Sequence, residues 1–383
     1  MKQRLSLQLA APLLALAFAL MVSALILLLA DYSPADVIRV VVEEGFRRQR
    51  MVDTINRAGP YYISAVAVAI GFKMNLFNIG VEGQYKVAAL VAAWAGASVA
   101  FPAPLHVAFI FMVAALSGAA YAAIPGILKA TRGVNEVISS IMLNSIAFGL
   151  SSFLLARFMR APKGKYPGTI GTVPLPGSGR LPSLNGVLAT IGIHLPTSSR
   201  VQSYVLVAVA IGIIYHVIIW RTRFGFDLRA TGSNPEAAQA SGVNPKRMII
   251  RAMLFSGAIA GFVGLNNIMT DAGRYTDVSV ISGLGFTGIA VALLGRNNPV
   301  GIAFAAVLWA FMDALQTPLS TNDLPKQITA ILQGVTVMSV VIAYEVVRRI
   351  GVRQQAAALR RDDMAGDAPP PSEPSGGPKV VPA

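Results

Sequence analysis

Asn75, Asn78, Glu82 and Gln84 fall within one short stretch, Asn75-Leu-Phe-Asn-Ile-Gly-Val-Glu-Gly-Gln84, between two apolar runs. Their side chains suit hydrogen bonding to a polar solute rather than bond making, because no second catalytic group accompanies them. All four are costly in hydrocarbon, and Gly80 and Gly83 loosen any helix drawn through the stretch. Polar, glycine-interrupted backbone at membrane depth is tolerated only where it is buried in protein or lines an aqueous cavity. Half-helix ends at such a break can meet a solute or order a gate. A cytoplasmic turn, with Asn78 capping the next helix and Glu82 among headgroups, is the other arrangement compatible with the residues. Asn75, Asn78, Gly80, Glu82, Gly83 and Gln84 are therefore candidates for a translocation path, together with Asn144 further along.

A second stretch, 221–245, carries a complete grammar for a short helix. Asn234 suits the N-cap, Pro235 the first helical position, and Glu236 the positive end of the helix dipole. Ala237, Ala238 and Ala240 propagate the helix and Gly242 stops it. About eight residues, ~12 Å, cannot hold a helix alone, so this one must pack against something. A small-faced helix between two spans fits a groove on a cytoplasmic partner; a solvated interfacial helix without a partner is equally compatible.

Other polar residues in apolar runs are Asn135, Glu136 and Asn144, which could share a helix face, Asn266 and Asn267, and Asp313 at a span end. Hydrogen bonding between helices is the commoner use of such groups. Phe72, Phe77, Trp94, Phe286 and Trp309 could stack on a base or sugar, and none is singled out as a ligand. Gly283-Leu-Gly-Phe-Thr-Gly288 matches the dinucleotide fingerprint G-x-G-x-x-G but lacks its βαβ setting. Gly283, Gly285 and Gly288, like Gly257 and Gly261, instead permit close helix approach. No P-loop is present, His106, His194 and His216 show no metal-ligand spacing, and there is no cysteine. No metal and no cofactor are expected on this chain, and no enzymatic activity.

The elements that must position these residues are membrane helices. Of 383 residues, 54% are hydrophobic and 13% charged, against roughly a quarter charged in soluble domains, and the mean hydropathy is +0.60. Apolar blocks lie near 8–30, 58–72, 83–101, 105–128, 134–156, 201–220, 248–269, 280–295, 299–316 and 327–347. The expectation is an all-α integral membrane protein with about ten transmembrane helices (range 8–11). Broken or re-entrant segments are expected near 58–84 and 280–295. The run from Leu5 to Ala30 is too long for a signal peptide and reads as a retained first span. Basic residues at Lys2, Arg4, Lys129, Arg132, 221–251 and Arg348, Arg349 and Arg353 place both termini in the cytoplasm. The basic loop 157–200 is then external, against the charge rule. The net charge of +14 suits headgroups rather than nucleic acid. Residues 1–350 are expected to form one transmembrane domain, with a loop at 221–247 facing the cytoplasm. Residues 351–383, rich in Pro, Gly and Ser from Asp367, are expected to be a disordered tail.

Glu236-Ala237-Ala238-x-x-x-Gly242 resembles the Glu-Ala-Ala loop of bacterial ATP-binding-cassette importer permeases, where the loop couples to the ATPase subunit. Phe77-Asn78-Ile79-Gly80-x-Glu82-Gly83-Gln84 resembles the signature of nucleoside and simple-sugar permeases in the branched-chain amino acid/ribose permease superfamily. The late Gly288–Gly295 segment is similar to that superfamily too. The resemblance covers about residues 5–350. It implies a permease subunit moving a nucleoside or simple sugar by alternating access, in the bacterial inner membrane. It also implies an ATPase subunit that binds the ATP, a second related permease and an external binding protein. An ion-coupled secondary transporter, which would need mid-span acids or bases, is the alternative.

Overall fold

The computed structural model describes residues 17–162, 170–196 and 199–366. They fall into two units. The larger, Val22–Val337, holds every site considered below. In the smaller, Arg349 Nε donates to Glu345 at 2.8 Å within the continuing last helix.

The described residues are helical, with no strand and two isolated bridges, Gly171 to Thr276 and Ser183 to Gln202. In order the helices are α1 (Ala17–Leu29), α2 (Pro34–Gly45), α3 (Arg48–Phe72), α4 (Val81–Ala97), α5 (Ala103–Arg132) and α6 (Glu136–Leu154). Then follow α7 (Asn185–Thr190), α8 (Tyr204–Arg221), α9 (Arg223–Ser233), α10 (Pro235–Ala240), α11 (Pro245–Ala260), α12 (Leu265–Met269), α13 (Leu284–Leu294), α14 (Pro299–Ala314), α15 (Gln316–Thr321) and α16 (Gln327–Gly366).

Helices α3 and α4 form the centre. From Ile63 to Ile70 and from Val81 to Ala93 nearly every residue is buried, and the many small Ala and Val side chains let neighbours approach closely. Helices α11, α13 and α14 pack on α3, and α5 and α6 on α4. The α5–α11 seam is the tightest. A Cβ on Gly118 would stand 2.2 Å from the Gly257 carbonyl oxygen, and one on Gly261 2.2 Å from that of Ala114.

Each apolar block holds a helix in its described part, with 248–269 divided between α11 and α12, but among the described residues only four helices are long and apolar enough to cross a membrane alone. They are Ala103–Arg132, Glu136–Met159, Tyr204–Arg221 and Pro299–Thr321; the pair α1 and α2, bent by 120°, would make a fifth. The rest escape the test for a physical reason. Helix α3 carries Arg48, Arg50, Asp53 and Arg57 in its first half, and α4, α11 and α13 are short and sit inside. A helix enclosed by protein is under less pressure to match lipid in length or polarity.

Several boundaries differ from expectation. The block at 58–72 is the second half of one continuous helix, and the chain breaks only at 73–80. Near 280–295 the irregular stretch is 270–283, ahead of α13. Of the first span only α1 is described; residues 8–16 lie outside the described residues. Helix α16 runs through Gly366, into the stretch expected to be a disordered tail, because 352–364 consists of Val, Arg, Gln, Ala, Leu, Asp and Met without Gly or Pro. The Pro-rich part, 367–383, lies outside the described residues, as do 163–169 and 197–198 of the loop 157–200.

Helix α3 fixes which loops share an end. Two turns in from its start, Asn56 Nδ2 donates to Arg200 O at 2.8 Å and its Oδ1 accepts from Gln202 N at 2.9 Å. Past its other end, Asn75 Nδ2 donates to Gly232 O at 2.6 Å. From Asn56 to Phe72 the helix rises ~24 Å, so residues 200–202 and the 221–247 loop lie toward opposite ends of it.

Candidate functional site

The 221–247 loop is built from its caps. Thr222 Oγ1 accepts from Gly225 N at 3.2 Å and starts α9. Asn234 Oδ1 accepts from Glu236 N and Ala237 N, both at 3.0 Å, with Pro235 in the first position. Val243 N donates back to Ala238 O at 3.0 Å, closing the far end around Gly242, whose φ of +87° is the left-handed conformation glycine adopts without strain. The helix is six residues, shorter than expected because Ser241 already leaves helical geometry. Ala238 alone turns inward, 4% exposed, while Glu236, Ala237, Gln239, Ala240 and Gly242 stand in the open. Beside them opens a cleft of 530 Å³ lined by Arg223, Asp227, Gly242, Arg247 and Arg251 among others.

This loop is tied to the polar stretch. A Cβ on Gly232 would lie 2.5 Å from Lys73 O and 2.8 Å from Met74 Cα, so the end of α9 rests directly on the turn after α3. The hydrogen bond from Asn75, itself left-handed at φ +54°, closes the contact. Lys73 Nζ lies 5.1 Å from the Trp220 ring centroid, where burial, reinforced by the Arg229 charge, lowers its pKa below the usual lysine range.

From Asn78 onward the polar groups turn inward. Asn78, Glu82 and Gln84 are 1%, 2% and 1% exposed. Asn78 Nδ2 donates to Ser256 Oγ at 2.7 Å and Gln84 Oε1 at 3.0 Å, while its Oδ1 accepts from Gly80 N and Gln84 Nε2. Ser256 Oγ passes on to Ala67 O at 2.6 Å, linking α11 to α3. Asn144 Nδ2 donates to Ile79 O and its Oδ1 accepts from Gly83 N at 2.9 Å, fastening α6. Glu82 reaches the late segment. Its Oε1 accepts from Gly283 N at 2.8 Å and from the Tyr85 hydroxyl at 2.7 Å, and its Oε2 accepts from Gly285 N at 2.9 Å. A carboxylate thus sits on the positive end of α13, on backbone donors that have no partner within their own helix. A Cβ on Gly288 would lie 2.2 Å from Ser64 Oγ, which donates to Leu284 O.

Apart from Asn266, whose buried Oδ1 has no hydrogen-bond partner among the described residues, the remaining polar residues have structural partners. Asn135 caps α6, and Glu136 pairs with Lys129 Nζ at 2.8 Å. Asn267 Nδ2 donates to Ser279 O, Asn266 is buried, and Asp313 pairs with Arg57. Phe72 and Phe77 meet edge to face, Trp309 is buried, and Trp94 and Phe286 are exposed. Among the described residues no group of three His, Asp or Glu could hold a metal.

Sequence reasoning passed over Ser64, Tyr85, Ser256 and Lys86. Ser64 and Ser256 have no local signal, since their partners lie about 180 or more residues away, whereas Tyr85 meets both Glu82, one turn back, and the distant Ile281 O. Lys86 did carry one: a lysine inside the apolar run of α4.

The family model described as branched-chain amino acid transport system / permease component matches residues 50–341. A guanosine ABC transporter permease protein of Bacillus subtilis, NupP, is 34% identical over 90% of this chain and 96% of its own length. The glucose ABC transporter permease protein TsgB13 of Haloferax volcanii is 31% identical, with 93% of each chain covered. The nucleoside ABC transporter permease protein NupB of Lactococcus lactis is 28% identical over 87% of this chain and 90% of its own. No solved structure matches.

Proposed function

Since this chain belongs to the branched-chain amino acid transport system / permease component family, and is thus a multi-pass permease subunit of an ATP-binding-cassette transporter rather than an enzyme, we propose that it imports a nucleoside or a simple sugar across the bacterial inner membrane. The relatives' names, guanosine, glucose and nucleoside permeases, support that solute class. In this reading the chain crosses the membrane about ten times, with both termini and the 221–247 loop in the cytoplasm and 157–200 outside. ATP is bound by a separate ATPase subunit; a second related permease and an external binding protein complete the assembly.

One observation carries the mechanism: the exposed helix α10 continues from α9, α9 rests on the turn at 73–75, and that turn leads into the network ending at the start of α13. Asn234, Pro235, Glu236, Ala237, Ala238 and Gly242 form the surface the ATPase grips, with Arg223, Arg247 and Arg251 offering positive charge to an acidic rim. Closure of the ATPase moves α9 and α10 as a unit. The displacement reaches Asn75, Asn78, Gly80, Glu82, Gly83, Gln84 and Asn144, which form the polar wall where the path opens. Such coupling requires the ATPase to contact α10 differently in its two states. An ion-gradient mechanism draws no support here, because Glu82 is spent on backbone N–H groups and Glu136 on Lys129.

The test is uptake by the reconstituted assembly against a panel of nucleosides and sugars, with Glu236→Lys/Gly242→Asp alongside. Solute-stimulated ATP hydrolysis is expected to vanish in the double variant while membrane insertion persists. Unchanged coupling removes the role of the loop, and failure to carry any nucleoside or sugar removes the solute class.

A further inference from the structure

Lys86 is the one lysine within the buried core of α4, 7% exposed as a whole residue. It sits one turn beyond Glu82 on the same helix face. Its Nζ donates to Ser282 Oγ at 2.9 Å and lies 4.0 Å from the centroid of the Phe148 ring. An ammonium has three donors, and Ser282 uses one. The charged groups facing it are Glu82, whose oxygens are held by Tyr85 and the start of α13, and Asp277 on the 270–283 stretch.

The depth of this group follows from α3. The charge-free run 58–72 is centred near Ser64 and Ala65, and Ser64 Oγ donates to Leu284 O at 2.7 Å, so α13 starts at mid-depth. Lys86 is ~6 Å along α4 from the glutamate that holds that start. Phe148 is 42% exposed, and Ser282 and Asp277 are exposed beside it. A face that presents an ammonium, a carboxylate and a hydroxyl at mid-depth is unstable against acyl chains and must meet water or protein. A start of a discontinuous helix at mid-depth is where a transported solute is met.

Resting on the permease reading above, we propose that Lys86, Ser282 and Phe148 form a solute-contact site at the middle of the path. The ammonium donates to a hydroxyl or carbonyl oxygen of an uncharged, oxygen-rich solute. The Phe148 ring lies against its flat or C–H-bearing face, and Ser282 holds the ammonium in place until the solute arrives.

The chain lacks cysteine, so Lys86→Cys introduces a single thiol. In the complete assembly in membrane vesicles, a water-soluble, membrane-impermeant thiosulfonate is expected to modify it, and saturating guanosine or glucose to slow that reaction. Ser282→Cys, on an exposed stretch, gives the same readout should Lys86→Cys fail to assemble. Lys86→Met is expected to raise the half-saturating solute concentration about ten-fold, the loss of one hydrogen bond to a charged donor, with a smaller fall in maximal uptake; Lys86→Arg should recover part of it. Thiols that the reagent misses, or that it modifies at a rate indifferent to both solutes, overturn the site, as does Lys86→Met uptake with unchanged half-saturation. A wild-type assembly that carries neither solute would instead sink the functional reading on which the site rests.

Discussion

Gly285 and Glu82 hold each other at backbone distance: the carboxylate Oε2 accepts the Gly285 N–H at 2.9 Å, while a Cβ on Gly285 would stand 2.5 Å from the Glu82 nitrogen. The glycine is small because the glutamate helix passes there, and the glutamate's carboxyl oxygen supplies the acceptor that the glycine's N–H lacks within its own helix.

Gly285→Ala should therefore destabilise the subunit by about 1–3 kcal/mol, since the atoms its methyl would strike are backbone. Thermal unfolding in detergent checks this, and an unaltered melting temperature would mean that α4 and α13 can part freely.

Glu82→Gln keeps the shape but turns an NH2 toward one of the two backbone donors. A cost of about 1.5–3 kcal/mol is expected, with a fall in uptake, because bonds to a charged acceptor are replaced and one donor loses its partner. The same melting assay, run beside uptake, reads both.

Gly242→Ala meets nothing within 4 Å, so its cost is conformational alone, roughly 1–2 kcal/mol for a left-handed alanine. Solute-stimulated ATP hydrolysis should drop, and Gly242→Asn, a residue that tolerates this conformation, should recover most of it. Equal loss in both variants would point to the side chain rather than the φ angle.

Asn75 combines a left-handed backbone with a bond to Gly232 O. Asn75→Gly relieves the first and deletes the second; Asn75→Ala deletes the bond and adds strain. If this turn transmits the movement of α10, both variants should weaken coupling, alanine more. Coupling that survives Asn75→Gly would show that the close approach of Gly232 to Lys73 suffices.

At the seam between α5 and α11, Gly257→Leu would drive a side chain against Ala122 Cβ and Gly118 O, which would stand 2.3 and 2.5 Å from its Cβ. A loss of about 1–3 kcal/mol or more is expected, read as lowered yield and melting temperature. Ala122→Gly should restore only part, since the Gly118 backbone contact remains.

Composition and periodicity were enough to reveal apolar helices, the cap Asn234 and the turn glycine Gly242, because each of these depends on neighbours a few residues away, whereas the capping role of Asn135 came only from the structure. The unusual polarity of 75–84 was equally plain, and so was Lys86 to a reader looking for charge in an apolar run. What the polar residues touch was not legible: Asn78 meets Ser256, Glu82 meets Gly283 and Gly285, and Asn144 meets Gly83, across gaps no local pattern encodes. The same holds for burial. Apolarity marked α3 and α4 as blocks at 58–72 and 83–101, but it did not show that they face protein and so form the centre of the bundle. Sequence alone determined where the apolar helices lie and where some of them are capped. Tertiary packing decided which of them lie inside, and so turned Glu82 from a costly residue into the cap of a distant helix.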